Sequence, residues 1–203
     1  MDSPQSPDSR ASSRIAKDAL RDQVRAARKR RPLDAAARFS ASVAEVALAW
    51  APVRDAATVA AYVSVGSEPG TGLLLDALLA AGKRVVVPVV RRDRDLDWAV
   101  YTGPGDLQTA VRGLLEPIGP RLGVDALAAA DVVLAPGHAV SSTGDRLGQG
   151  GGYYDRALLR VGAGTPVAVV LYDDEVGLPV PADPHDVPVG YALTAGGVVH
   201  LTP

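Results

Sequence analysis

Hydrophobic and polar positions change rhythm along the chain. The first 13 residues are rich in Ser, Pro and Asp and hold almost nothing apolar. Such a composition cannot offset the entropy of ordering, so 1–13 is expected to be a disordered tail. From Ile15 to about Arg30 the apolar residues Leu20, Val24 and Ala27 recur at helical spacing, and Pro32 stops the pattern. A second helix is expected from Asp34, read as its cap, to about Trp50. Beyond Pro52 the rhythm shifts to short β-branched runs at 58–63, 85–90, 132–135 and 167–171, with helical stretches at 70–81 and 153–161. Leu96, Trp98 and Val100 alternate with Asp97 and Ala99, which predicts a strand buried chiefly on one face. Strands alternating with helices predict a mostly parallel sheet covered on both faces and joined by right-handed crossovers.

Composition narrows the picture. A chain of 203 residues, 47% hydrophobic and with a formal charge of −2, suffices for one core, so residues 14–203 are expected to form a single domain. With no Cys, disulfides, zinc-thiolate sites and a cysteine nucleophile are excluded. No apolar leader and no run of about 18 apolar residues occurs, so a cytoplasmic protein that spans no membrane is expected. Charge is unevenly spread: nine of the 21 Arg and Lys, but only two of the 23 Asp and Glu, lie between positions 10 and 31. A basic arm of this kind suits phosphates or nucleic acid, although no aromatic residue stands among its arginines to stack a base.

The richest chemistry lies in the segment from Ala135 to Tyr153, read as strand, long loop and helix. Ligands in open α/β sheets bind at such loops. Gly144, Gly148, Gly150, Gly151 and Gly152 permit positive φ and let backbone N–H groups close on an anion. The helix that follows adds unpaired N–H groups, and Arg146 adds a cation able to hold phosphate through two parallel bonds. Neither Gly-x-Gly-x-x-Gly nor a Walker lysine can be drawn through the loop.

The string Arg146-Leu147-Gly148-Gln149-Gly150-Gly151-Gly152-Tyr153-Tyr154-Asp155-Arg156, preceded by Ala135-Pro136-Gly137, resembles the signature of the 5-formyltetrahydrofolate cyclo-ligase family. Lys17-x-x-x-Arg21, Tyr62 followed by Glu68, Gly113-Leu114-Leu115-Glu116-Pro117, Leu178-Pro179 and His185-Asp186 extend the likeness in family order. The resemblance implies a single three-layer Rossmann-like α/β domain and an ATP-dependent, magnesium-assisted conversion of 5-formyltetrahydrofolate to 5,10-methenyltetrahydrofolate. It implies that Lys17, Arg21 and the loop from Arg146 through Tyr154 bind ATP. Val63, Glu68 and the stretch Gln149, Gly150, Gly151, Gly152 and Tyr153 would bind the reduced folate, and Asp155 and Asp186 magnesium. Arg146 and Tyr153 are the expected catalytic residues, and a monomer or homodimer with no nucleic-acid partner is expected. Tyr62 and Trp98 are further candidates for the pterin walls. Taken alone, the cationic face of Lys17, Arg21, Arg25 and Arg28 reads as solvated, and the resemblance lifts only Lys17 and Arg21 to ligands. The chain departs from the family pattern at His138-Ala139-Val140-Ser141, where many relatives have Leu-Ala-Phe-Asp, and at Gly151, where many have Lys. A sugar-phosphate isomerase or CoA-transferase relative and a non-catalytic nucleotide or folate binder of the same fold remain alternatives.

Overall fold

The computed structural model describes residues 7–202. Helix α1 (Pro7–Arg30) leads into α2 (Leu33–Ala49) and the short α3 (Ala51–Asp55). Then follow β1 (Thr58–Ala60), α4 (Gly72–Ala80), β2 (Arg84–Val90), β3 (Leu96–Val100), β4 (Leu107–Thr109), β5 (Leu115–Pro117) and β6 (Val132–Pro136). The chain closes through β7 (Ala139–Val140), β8 (Arg146–Leu147), α5 (Tyr153–Leu158), β9 (Val167–Val170), β10 (Tyr191–Thr194) and β11 (Gly197–His200).

Seven strands form one sheet in the order β11-β10-β9-β6-β1-β2-β3. The five from β10 to β2 run parallel, and β3 and β11 are antiparallel edges. Because side chains alternate across a strand, each apolar run feeds two cores. Val59, Val85, Val87, Val132, Leu134, Ala168 and Val170 face Phe39, Val43, Ala47, Leu74 and Leu78 of α2 and α4. Ala60, Val86, Val133, Ala135 and Val169 face Leu127, Ala157 and Leu158 on the other side. These are the three layers of the expected α/β domain. From β1 the chain steps to β2 on one side, and β6 later inserts on the other. The strand order therefore reverses between β1 and β6, the position where open α/β sheets leave a crevice beyond the carboxyl ends of their strands.

Pro88 sits inside β2, yet it leaves no gap in the parallel ladder, since β1 pairs with β2 only as far as Val86.

Several expectations need correction. Helix α1 starts at Pro7 rather than Ile15, and Ser13 donates to Asp183 Oδ1 at 2.9 Å, so the part of the tail from residue 7 onward is helical. A contact made 170 residues away supplies what local composition lacks. The remainder of the expected tail lies outside the described residues. Asp34 falls inside the first turn of α2, whose cap position is Pro32, and pairs with Arg38. Trp98 is fully buried in the core against β2 rather than in any ligand wall.

Candidate active site

A cleft of about 720 Å³ opens at the reversal point. Its walls come from the segments after β1 (Tyr62, Val63, Val65, Glu68), the end of β2 (Pro88, Val90, Arg91, Arg92) and the turn after β6 (Pro136, Gly137, His138). The glycine loop from Gly148 to Gly152 and the start of α5 close one side, and Leu114, Leu115 and Glu116 of the β4–β5 hairpin close another. Every strand end that borders the crevice thus contributes.

The long loop is more structured than a glycine-rich connector. Ala139–Val140 and Arg146–Leu147 pair as an antiparallel hairpin. Ser141 Oγ orders its turn by accepting the N–H groups of Thr143 and Asp145, at 3.2 and 3.0 Å, and by donating to Asp145 Oδ2 at 2.8 Å. Gly144 adopts φ of +87°, and a Cβ there would lie 2.4 Å from the carbonyl oxygen of Val189. Beyond the hairpin, Gly150 and Gly152 take φ of +92° and +72°, the second immediately before α5. That helix has six residues, shorter than the 153–161 expected, so backbone N–H groups of the loop matter more than a helix dipole.

Arg146 projects from the hairpin into the cleft wall. Its side chain is 3% exposed and bonds to Asp155 Oδ1 at 2.7 Å and to the Pro136 carbonyl at 3.3 Å. Nε of Arg146 and the hydroxyl of Tyr154 are buried without hydrogen-bond partners among the described residues, and the guanidinium lies 5.7 Å from the Tyr154 ring centroid. Two orphaned donors on a glycine-lined wall fit a polyanionic ligand. The glycines also make room for cations: a Cβ at Gly148 would meet the Arg146 guanidinium at 2.7 Å, and one at Gly150 the Arg21 guanidinium at 3.3 Å.

Across the cleft, Glu68 accepts the N–H of Val65 at 3.0 Å and the side-chain N–H of Gln149 at 3.2 Å. The carboxylate after β1 and the glycine loop are therefore joined directly. Glu116 is buried and accepts the N–H of Val90 at 2.9 Å, which fastens the β4–β5 hairpin over the end of β2.

Helix α1 lies along the outside of the loop and grips it with its cationic face. Arg21 Nε donates to the Gly148 carbonyl at 2.8 Å, Arg25 to Gln149 Oε1 at 2.9 Å, and Arg28 to the Gly137 carbonyl at 2.8 Å. Arg28 also forms a two-pronged ion pair with Glu175, both bonds at 2.7 Å. Lys17 bridges Asp183 and Asp186 at 2.7 and 2.5 Å. Burial opposes its charge, but the hydrogen bonds with the two carboxylates outweigh that and hold its pKa above the ordinary lysine value.

A model of the 5-formyltetrahydrofolate cyclo-ligase family matches residues 13–195. The chain belongs to that family. The 5-formyltetrahydrofolate cyclo-ligase of Mycolicibacterium smegmatis is 47% identical over 150 residues, which cover 71% of this chain and 77% of that one. The NMR structure of Aquifex aeolicus 5,10-methenyltetrahydrofolate synthetase superposes with a TM-score of 0.78 at 28% identity, covering 92% of this chain and 93% of that one. The 5,10-methenyltetrahydrofolate synthetase of Mycoplasma pneumoniae shares the fold, with a TM-score of 0.69 at 21% identity over 88% and 98% of the two chains.

Of the residues singled out in this cyclo-ligase sequence, Val63, Glu68, Arg146, Gly148, Gln149, Gly150, Gly151, Gly152, Tyr153, Tyr154 and Asp155 line the cleft. Leu147 does not: its side chain is buried with Ala139 and Val180 against Leu20 of α1. Arg21 reaches the loop from behind, and Lys17 and Asp186 stand together beside Asp183 and His185, off the cleft wall. Each carboxylate expected to hold magnesium has one oxygen committed to a cation, Asp155 to Arg146 and Asp186 to Lys17. Neither Oδ2 of Asp155 nor Oδ1 of Asp186 makes a hydrogen bond among the described residues, but the two stand in different places: Asp155 on the cleft wall, Asp186 in a cluster with Asp183 and His185 whose ligand atoms lie within 4.8 Å of one another. Sequence reasoning missed the buried role of Arg28, gave no role to Glu116, and noted His138, which lines the cleft, only as a departure from the family pattern. Only the Glu116-Pro117 pair carried a local signal.

Proposed function

We propose that this chain catalyses the ATP-dependent conversion of 5-formyltetrahydrofolate to 5,10-methenyltetrahydrofolate, with release of ADP and phosphate through a phosphorylated formyl intermediate. The carrying observation is the 3.2 Å bond between Glu68 and Gln149 at the strand-order reversal. A carboxylate suited to the amino and ring N–H groups of a pterin adjoins a glycine loop suited to phosphates. A folate and a nucleotide bound there would present the formyl oxygen to the terminal phosphate.

The chemistry explains why two ligands must meet. The formyl group on the 5-nitrogen is an amide, and its oxygen does not leave at neutral pH. Phosphorylation of that oxygen converts it into a phosphate leaving group, after which the 10-nitrogen attacks the formyl carbon and phosphate departs as the methenyl bridge closes. Such a transfer needs alignment and charge stabilisation, with no protein nucleophile. Arg146 and the backbone N–H groups of Gly148 to Gly152 hold the transferring phosphoryl group. Arg21, and Lys17 once it exchanges its Asp183 and Asp186 partners for phosphate, bind the remaining phosphates; Val63, Glu68 and Tyr153 orient the pterin beside the apolar wall of Pro88, Leu114 and Leu115. Magnesium would be held at the cleft wall by Asp155, with Asp186 a separate oxygen ligand beside Asp183 and His185, and would supply further positive charge at phosphate oxygens. The enzyme works in the cytoplasm as a monomer or homodimer, and nucleic acid is not a partner. Among the described residues no helix is long and apolar enough to cross a membrane.

The test is a spectrophotometric assay of purified protein with 5-formyltetrahydrofolate and magnesium, with and without ATP. Growth of the methenyl near-ultraviolet band only with ATP supports the proposal. No band, with ATP still bound, replaces it with a non-catalytic binder of the same fold.

A further inference from the structure

Among the described residues, three buried polar atoms on the loop side of the cleft have no hydrogen-bond partner: Arg146 Nε, Tyr154 Oη and His138 Nδ1. The first two belong to residues already placed in the phosphate site. His138 has no role so far. It is 2% exposed, stands two residues beyond β6, and lines the cleft together with Gly137, Arg146 and Gly148. Its backbone N–H donates to the Leu147 carbonyl at 2.7 Å, which fixes the residue against the hairpin that carries Arg146.

The surroundings say which ligand atom suits this ring. Arg21 and Arg25 of α1 bond to Gly148 and Gln149, which follow β8, and Arg28 bonds to Gly137, the residue before His138. Burial, and after it the positive field of Arg28, Arg25 and Arg21, pushes the imidazole pKa down to about 3, so the ring is neutral at physiological pH. A neutral imidazole offers one N–H and one lone pair. Among guanidinium groups the favoured incoming atom is an anionic oxygen, which the arginines attract and the N–H can serve.

The geometry points to His138 as a further binding residue of this site, its ring donating an N–H to a phosphate oxygen of the nucleotide. This rests on the nucleotide half of the function proposed above. The competing occupant, the edge of a pterin, is an outcome of the test.

The experiment titrates the full chain with the magnesium complex of a non-hydrolysable ATP analogue by calorimetry, and measures KM for ATP and for 5-formyltetrahydrofolate. Losing one neutral donor to a charged acceptor predicts that His138→Leu binds the analogue about 10-fold to 100-fold more weakly. His138→Gln keeps an N–H and is expected within about threefold of the parent. KM for the folate should not move. A long-range proton–nitrogen NMR spectrum of the parent, with the His138 ring assigned by its absence in His138→Gln, should show that ring's nitrogens shifting when the analogue binds.

A His138→Leu titration indistinguishable from the parent overturns the proposal, as does a loss confined to folate affinity or a ring that ignores the nucleotide. Should thermal melting show that His138→Leu does not fold, His138→Gln and the parent spectrum decide instead. A parent that turns over while its His138 ring is indifferent sinks this inference alone, whereas a parent that binds no nucleotide sinks the reading beneath it as well.

Discussion

Removing Arg28 tests how α1 is fastened to the body. Its side chain is 1% exposed and that of Glu175 4%, with both guanidinium–carboxylate bonds at 2.7 Å and a third bond from Arg28 to the Gly137 carbonyl at 2.8 Å. Among the described residues the Glu175 carboxylate has one other partner, the backbone N–H of Tyr172 at 3.1 Å. Burial works against both charges; on Arg28 the hydrogen bonds with Glu175 outweigh it and hold the guanidinium above its ordinary pKa. In Arg28→Met the Glu175 carboxylate stays buried with a single donor, a situation that costs about 3 to 5 kcal/mol. For a chain of this size about 1 kcal/mol moves Tm by roughly 2 to 4 °C, so a fall of about 6 to 20 °C is expected. In the double variant Arg28→Met/Glu175→Met no charge is left behind. Its loss should fall short of the sum of the single losses by about 2 kcal/mol or more. Urea unfolding followed by circular dichroism supplies the four free energies. Additive single losses, or an Arg28→Met variant within about 1 kcal/mol of the parent, would refute the claim that this pair is a buried, coupled clasp.

The remaining predictions concern the cleft and its loop. Arg146→Ala should lower turnover about 100-fold to 1000-fold, by analogy with losing a single transition-state donor, in the methenyl absorbance assay; unchanged turnover would remove Arg146 from the mechanism. Gly144→Ala should cost at least about 2 to 3 kcal/mol in chemical unfolding, from strain at a positive φ and the approach to Val189, and a variant as stable as the parent would contradict the hairpin geometry. His138, buried and lying in the positive field of Arg28, Arg25 and Arg21, has a folded pKa of about 3, below its ordinary 6.5. The unfolded chain therefore binds the extra proton first, and the stabilising contribution is complete above pH 6.5 and shrinks as pH falls toward 3. Relative to His138→Gln, the parent should lose about 1.4 kcal/mol of stability per pH unit below 6.5 in urea titrations, and parallel curves would mean the ring is not held neutral.

Much of this fold was legible because its strands are buried on both faces. A parallel strand between two helical layers reads as an unbroken apolar run, and Val85–Val86–Val87 and Val132–Val133–Leu134 do so without ambiguity. The last hairpin was missed because the two-residue link Ala195-Gly196 between Tyr191–Thr194 and Gly197–His200 is not one of the Asn-Gly, Asp-Gly or Gly-Gly pairs that mark a hairpin. Trp98 shows the limit of alternation: period two gives a strand with two faces, but not which face meets a ligand. The glycine loop was legible for a different reason, since backbone conformation at Gly144, Gly150 and Gly152 is written in adjacent residues.

The cationic face of α1 illustrates what local reasoning lacks. Spacing puts Lys17, Arg21, Arg25 and Arg28 on one side of a helix, and a solvated face is the sensible expectation for such a stripe. Only Arg25 keeps an open side chain, 42% exposed. The others turn inward because acceptors wait there: Asp183 and Asp186 for Lys17, the Gly148 carbonyl for Arg21, and Glu175 with the Gly137 carbonyl for Arg28. Those acceptors lie between 109 and 169 residues away along the chain, so no window around α1 contains them. A buried cation is tolerable only when its partners are in place, which ties the ordering of α1 to the ordering of the glycine loop. The helix that grips the loop is thus folded by it, and loss of either should be felt at the other.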